Sequence, residues 1–150
     1  MINIFDEKVK LKEVAEDNAK PSIVLIDDDV AFSAMLSEFL RSEMNMKTDM
    51  YLNGRHFLED YKATDTRIII LDYDFSNVDG PDGLTVLKEI KKVNPFALVI
   101  MVSGQDNVEI AVETLRVGAS DYFYKLNKTV FPNILSSIIK LLEIEKKRLN

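Results

Sequence analysis

From Ser22 onward the chain alternates short apolar runs with segments whose apolar residues recur at helical spacing. Ile23-Val24-Leu25-Ile26 is rich in β-branched residues and ends in Asp27-Asp28-Asp29, which predicts a strand. Phe32, Met35, Leu36, Phe39 and Leu40 then follow a 3.6-residue period. A weaker strand over Lys47–Leu52 leads to Asn53, a helix N-cap ahead of His56, Phe57 and Tyr61. Ile68-Ile69-Ile70-Leu71 runs into Asp72 and precedes a helix carrying Leu84, Leu87 and Ile90. Ala97 to Val102 ends at Ser103, and Val108, Ala111, Val112 and Leu115 mark a helix stopped by Gly118. Asp121-Tyr122-Phe123-Tyr124-Lys125 and a long helix from about Thr129 complete the pattern.

These are five strand–helix units, so an α/β fold of (βα)5 type is expected. The strand runs are continuous rather than alternating, as parallel strands covered on both faces require. Right-handed crossovers make a doubly wound, five-stranded parallel sheet, with ligands expected at the carboxyl ends of its strands. Residues 1–21 do not share the alternation. They mix charges with Ile4, Phe5, Val9, Leu11 and Val14 up to Pro21, and read as an N-terminal arm, either a short amphipathic helix or a loose segment. The domain proper spans 22–142, and 143–150 extend the last helix.

Composition narrows the chemistry. The 150 residues suffice for one domain with its own core. No cysteine is present, which excludes disulfides, zinc–thiolate sites and thiol nucleophiles, and the single histidine, His56, excludes a multi-histidine metal site. No apolar run is long enough to span a bilayer, and the N-terminus lacks a signal peptide's basic and apolar regions, so a cytoplasmic protein is expected, with no membrane partner. The formal net charge of −6 argues against direct nucleic-acid binding.

The acids are unevenly placed. Residues 125–150 hold six bases and two acids, so the remainder carries −10. Asp27, Asp28, Asp29, Asp72, Asp74, Asp79 and Asp82 crowd the predicted strand ends and the loop beside them. In the strand order 2-1-3-4-5, strands 1, 3, 4 and 5 are neighbours, and Asp27-Asp28, Asp72, Ser103 and Lys125 converge on one crevice. Carboxylates so close resist joint ionisation unless a cation relieves them. All-oxygen ligation suits Mg2+ better than zinc or copper. A metal there leaves Asp72 able to attack a phosphoryl group whose oxygens Ser103 and Lys125 stabilise. Taken singly, each residue would be an ordinary cap, turn or solvated side chain; together, at four strand ends, they are a site.

The segments "IVLIDDD", "IIILD", "VIMVSG" and "GASDYFYK" resemble, in order, the acidic-pair strand, the phosphoacceptor strand, the switch-hydroxyl strand and the aromatic–lysine segment of response regulator receiver domains. The likeness runs from Ser22 to Leu142 and implies a flavodoxin-like fold. It implies that Asp72 is the phosphoacceptor, and that Asp28 binds Mg2+ directly, Asp27 largely through water, with Asp72 and the main-chain carbonyl of Asp74 completing the protein ligands. It further implies that Ser103 swings in to the phosphoryl group with Tyr122 rotating behind it, that Lys125 pairs with a phosphoryl oxygen, and that Gly104 keeps the approach open. Asp74 and Gln105 fall at positions that tune phosphate lifetime in the family. The implied donor is a phosphohistidine on a histidine kinase or phosphotransfer protein. The implied function is a phosphorylation-dependent signalling switch, with no enzymatic turnover beyond its own Mg2+-dependent phosphorylation and dephosphorylation.

Two departures accompany the likeness. Leu126 follows Lys125 where the family usually has proline, often after a cis bond, and a cis bond here would cost about 3 kcal/mol. Pro81-Asp82-Gly83 intervenes after Asp79-Gly80, which implies about three extra residues beside the site, and Ser76 stands where proline is common.

"IIILDYDFS" also resembles the first motif of haloacid-dehalogenase-type phosphohydrolases, with Asp72 as nucleophile, Asp74 as general acid and Ser103 as the second motif. Those enzymes carry their extra acidic pair late in the chain, whereas Asp27-Asp28 comes first. A receiver reduced to an inert binding module is the remaining alternative, although none of the key residues is lost. His56 reads as an exposed side chain. Leu135, Ile138, Ile139, Leu142 and Leu149 form one stripe on the last helix, with Ile134 and Leu141 to its side, and Ile110 and Val117 fall off the core stripe of the fourth helix. Such groups suggest a second contact, either a homodimer or a downstream output domain. In this family the face of the fourth helix, fifth strand and fifth helix is the usual output surface. "IAVETLRVGASDYFYK" and "LLEIEKKRLN" resemble receivers of nitrogen-regulator-type activators. No output domain is recognisable, so the chain reads as a stand-alone receiver or a piece of a longer protein.

Overall fold

The computed structural model describes residues 23–75 and 80–149. The arm at 1–21, Ser76 and Asp79 lie outside these residues, as does the side chain of Leu149.

Five strands, β1 (Ile23–Ile26), β2 (Thr48–Tyr51), β3 (Ile68–Asp72), β4 (Val99–Ser103) and β5 (Asp121–Tyr124), alternate with α1 (Val30–Met44), α2 (Gly54–Asp60), α3 (Gly83–Val93), α4 (Val108–Val117) and α5 (Val130–Leu149). The strands form one parallel sheet in the order β2-β1-β3-β4-β5. The continuous apolar runs have the physical origin expected of them. Ile23, Leu25, Ile68, Ile70, Ile100 and Val102 point to one face, under Leu36 and Leu40 of α1 and Ile134, Ile138 and Ile139 of α5. Val24, Ile26, Ile69, Leu71, Val99 and Met101 point to the other, under Phe57 of α2 and Val86, Leu87 and Ile90 of α3. Side chains alternate between faces with period 2, and β1, β3 and β4 are covered on both faces, so their runs are apolar up to the polar residue at each strand end, whereas the outer strands β2 and β5 are partly exposed and mixed.

The helix starts follow from local hydrogen bonding. Asp29, Asn53, Asp82 and Asn107 are N-caps whose side chains accept from Phe32, His56, Thr85, and Glu109 and Ile110 N–H, respectively. Gly118, in the left-handed region at φ 118°, ends α4. His56 is exposed. No helix among the described residues is long and apolar enough to cross a membrane.

Two helix faces differ from the expected ones. On α4 the inward residue is Thr114, at 0% exposure, with Val117 packed against the core, while Val108, Val112 and Leu115 are 76%, 40% and 46% exposed. Apolar spacing misassigned this face because a helical threonine returns its hydroxyl to its own backbone: Thr114 Oγ1 donates to the Ala111 carbonyl at 3.0 Å, which removes the penalty of burying it. On α5, Ile134 is wholly buried and Leu141 packs on the core, so these two belong to the inner face; among the described side chains, Ile144 is a large apolar residue left exposed there.

Candidate functional site

Sheet register brings the functional side chains together. Ile26 of β1 is level with Leu71 of β3, so Asp27 and Asp72 both stand one residue beyond that rung. Asp72 is level with Val102, which puts Ser103 one step further, and Ser103 is level with Tyr124, which puts Lys125 just past the end of β5. The Lys125 N–H donates to the Ser103 carbonyl at 2.8 Å and continues the ladder to that point. Among the described residues there is no cis peptide bond, so the Lys125–Leu126 bond is trans.

Asp27 and Asp72 are 4% and 1% exposed, and Asp28 is half-buried beside them. Carboxylate oxygens of Asp27, Asp28 and Asp72 lie within 4.8 Å of one another. The Lys125 ammonium sits 2.7 Å from Asp27 Oδ2 and 3.3 Å from Asp72 Oδ1. Its approach to Asp27 Oδ2 is an ionic contact rather than a well-directed hydrogen bond, and that buried oxygen has no hydrogen-bond partner. The Lys125 ammonium also lies over the Phe32 ring at 4.7 Å, and Phe32 meets Phe131 edge to face. This aromatic wall was not singled out in the sequence, where Phe32 reads simply as a core residue.

The charges are not balanced. Burial, then the neighbouring Asp27 charge, pushes the Asp72 carboxyl up to about 8. Burial also raises Asp27, against the opposing pull of Lys125. Burial alone would lower Lys125, yet its contacts with Asp27 and Asp72 carry it above the ordinary lysine value. One ammonium thus serves two buried carboxylates and a third nearby. A hard divalent cation fits that deficit: three carboxylates converge around a single ammonium, and no nitrogen or sulfur donor is among them.

Across the crevice the residues are bonded to one another. Asp74, whose N–H donates to Asp72 Oδ1 at 3.1 Å, accepts from Ser103 Oγ at 2.9 Å and from Gly104 N–H at 3.0 Å. Gln105 Nε2 donates to the same carboxylate at 2.7 Å, and Gln105 N–H donates to Ser103 Oγ at 3.0 Å. The Tyr122 hydroxyl donates to the Gln105 carbonyl at 2.8 Å, with its ring against the core. Every sequence-predicted site residue therefore lies in one crevice, in two subsets: Asp27, Asp28, Asp72 and Lys125 on one side, Asp74, Ser103, Gly104, Gln105 and Tyr122 on the other.

Gly83 was missed as a site residue. A Cβ there would meet the Asp72 carbonyl oxygen at 2.2 Å and Tyr73 Cα at 2.6 Å, so only glycine lets α3 start against the end of β3. Its N–H donates to the Tyr73 carbonyl at 3.2 Å. The signal was present as Asp82-Gly83 directly before a helical period; it reads as inserted loop until Asp82 is seen to cap α3.

A sequence model of the response regulator receiver domain matches residues 23–137. The chain is 31% identical over 120 residues to the transcriptional regulatory protein ZraR of Escherichia coli, covering 80% of this chain and 26% of that protein. It spans about a quarter of the length of this relative. Its identity to the chemotaxis protein CheY of Thermotoga maritima is 30% over 103 residues, covering 68% and 83% of the two chains. The solved receiver domain of NtrX from Brucella abortus superposes with a TM-score of 0.71 at 30% identity, over 81% of this chain and 98% of that one.

Proposed function

The chain belongs to the response regulator receiver domain family, and from that premise we propose that it is a switch that accepts a phosphoryl group on Asp72. The observation that supports this most strongly is the convergence of Asp27, Asp28 and Asp72 with Lys125 at one end of the sheet. Asp27, Asp28, Asp72 and the main-chain carbonyl of Asp74 would hold Mg2+. When bound, Mg2+ supplies the positive charge that lets these carboxylates and the phosphoryl oxygens share one site.

An Asp72 carboxylate oxygen bonds to phosphorus as the phosphorus–nitrogen bond of a partner's phosphohistidine breaks, the imidazole leaving with the bonding pair. Burial of Asp72 excludes water from the attacking oxygen until the partner docks. Lys125 then exchanges part of its contact with the carboxylates for a phosphoryl oxygen, and Ser103 Oγ and Gly104 N–H donate to the others. Tyr122, bonded behind Gln105, carries the rearrangement toward α4 and β5. Gly104 keeps the approach open, since a side chain larger than a methyl group would extend toward these oxygens. The donor is a histidine kinase or phosphotransfer protein. The output face is α4, β5 and α5, where Val108, Val112 and Leu115 stand exposed for a downstream domain or a second copy of the chain. The setting is cytoplasmic, and the protein does not turn over outside substrates.

Titrating the chain with Mg2+ and beryllofluoride, a phosphoryl mimic, tests the assignment. Thermal unfolding should shift upward by linkage in the wild type, and the beryllofluoride part of the shift should vanish in Asp72→Asn. Equal shifts in both proteins would refute Asp72 as acceptor. Sustained hydrolysis of a generic phosphomonoester would refute the switch in favour of an enzyme.

A further inference from the structure

Both carboxylate oxygens of Asp74 have hydrogen-bond donors. Its Oδ2 accepts from Ser103 Oγ and Gly104 N–H, and its Oδ1 accepts from the Gln105 side chain. Two of these three donors are the groups to which the switch reading assigns phosphoryl oxygens. The same carboxylate borders the open space over Gly104, where a Cβ would find Asp74 Oδ2 at an ordinary contact distance of 3.7 Å. Carboxylate and phosphoryl oxygens are interchangeable to such donors: both are anionic acceptors that form short, charge-assisted bonds.

The bonding does not stop at Asp74. Ser103 Oγ, fixed by its bond to Asp74, accepts from Gln105 N–H, and the Gln105 carbonyl accepts from the Tyr122 hydroxyl. Ser103 is wholly buried and turned toward the site. The groups that a phosphoryl anion would have to draw inward are therefore already inward, drawn by an anion of the chain itself.

The geometry points to Asp74 as an internal stand-in for the phosphoryl group, a positioning residue that occupies the oxygen-binding donors until phosphorylation displaces it. Phosphorylation of this chain is then an exchange of anions, in which Asp74 leaves Ser103 and Gly104 and the phosphoryl oxygens take its place. Two consequences follow. Any phosphoryl mimic competes with Asp74 and binds more weakly than it would to an unfilled cradle. The Ser103–Gln105–Tyr122 chain of hydrogen bonds also exists before phosphorylation, so the unphosphorylated protein shows part of its switched arrangement. The inference rests on Asp72 being the phosphoacceptor.

The test combines amide NMR with beryllofluoride titration in the presence of Mg2+, on wild type, Asp74→Asn and Asp74→Ala. Without beryllofluoride, the Gly104 amide proton of the wild type should resonate downfield, as a donor to a carboxylate does, and should move upfield in Asp74→Ala. With saturating beryllofluoride the Gly104 shifts of the two proteins should coincide. Beryllofluoride should bind Asp74→Ala about tenfold more tightly, the loss of one charge-assisted competitor, with Asp74→Asn intermediate because it keeps a neutral acceptor. Equal or weaker binding by Asp74→Ala, or a Gly104 amide that ignores the substitution, overturns the stand-in role. Binding by none of the three proteins overturns the phosphoacceptor reading itself, and the stand-in role with it, a result distinct from the other two.

Discussion

The two sides of the crevice solve opposite problems with the same residue type. Around β1 and β3, Asp27 and Asp72 are buried with one ammonium between them, and one carboxylate oxygen has no hydrogen-bond partner. Around β4, Asp74 has donors for both oxygens and hands the order on to Gln105 and Tyr122. The first side is short of positive charge and the second is locally complete. A buried carboxylate without compensation costs stability and invites a cation or a proton, whereas one with several donors is a structural element. An acidic cluster therefore says little by itself; what matters is which of its oxygens have partners.

The comparison breaks most severely at Lys125, the cation on which the first side depends. Lys125→Ala should leave Asp27 and Asp72 buried without it and cost about 3 kcal/mol at neutral to alkaline pH. The loss should shrink in acid, where both carboxyls are protonated. Urea unfolding at two pH values reads this, and a loss that does not vary with pH would mean the carboxylates are compensated elsewhere.

A smaller effect separates proton from metal. Asp72 is pushed up to about 8 from an ordinary 3.8, and Asp27 is raised as well. The folded chain therefore keeps protons that the unfolded chain has released, and in the absence of metal its stability falls as pH rises from about 4 to about 8. Lys125 stays charged throughout, because its own shift is upward. Mg2+ has to replace those protons, so the rise in Tm on adding Mg2+ should grow across the same interval. A Mg2+ shift independent of pH would show that the ion binds away from these carboxylates.

The smallest expected change lies on the complete side. Ser103→Ala removes one bond to Asp74 and the acceptor of the Gln105 N–H, for about 1 kcal/mol in urea unfolding. Gly104 and the Gln105 side chain still hold Asp74, so a loss as large as that of Lys125→Ala would erase the contrast between the two sides.

Much of this was legible in advance. The three apolar runs of β1, β3 and β4, the order of the units and the residues at the strand ends can be read from the sequence because central parallel strands buried on both faces leave continuous apolar runs, and their ends are marked by polar residues. Harder to read was the division of labour among the acids. In Asp27-Asp28-Asp29 the first is buried in the site and the third caps α1, yet the letters are identical. Asp82, in what reads as an inserted loop, proves to cap α3, and Gly83 beside it is dictated by backbone contact with Asp72 that no periodicity reveals. Apolar spacing alone does not reveal the inner faces of α4 and α5, because it passes over the self-bonded hydroxyl of Thr114 and does not show that the core reaches round to Ile134 and Leu141.

Thr114 has a mechanical consequence. Among the residues of α4 it alone is fully buried, whereas α3 buries Gly83, Val86, Leu87 and Ile90. Its hydroxyl is answered from within its own helix, so this one buried side chain makes no polar bond to the sheet. α4 rests on the molecule as a bearing does, and α3 is fastened as a bolt. Under the proposed switch, a small push delivered through Tyr122 would meet less resistance from α4 than from α3, which is what an indicator needle needs at its pivot.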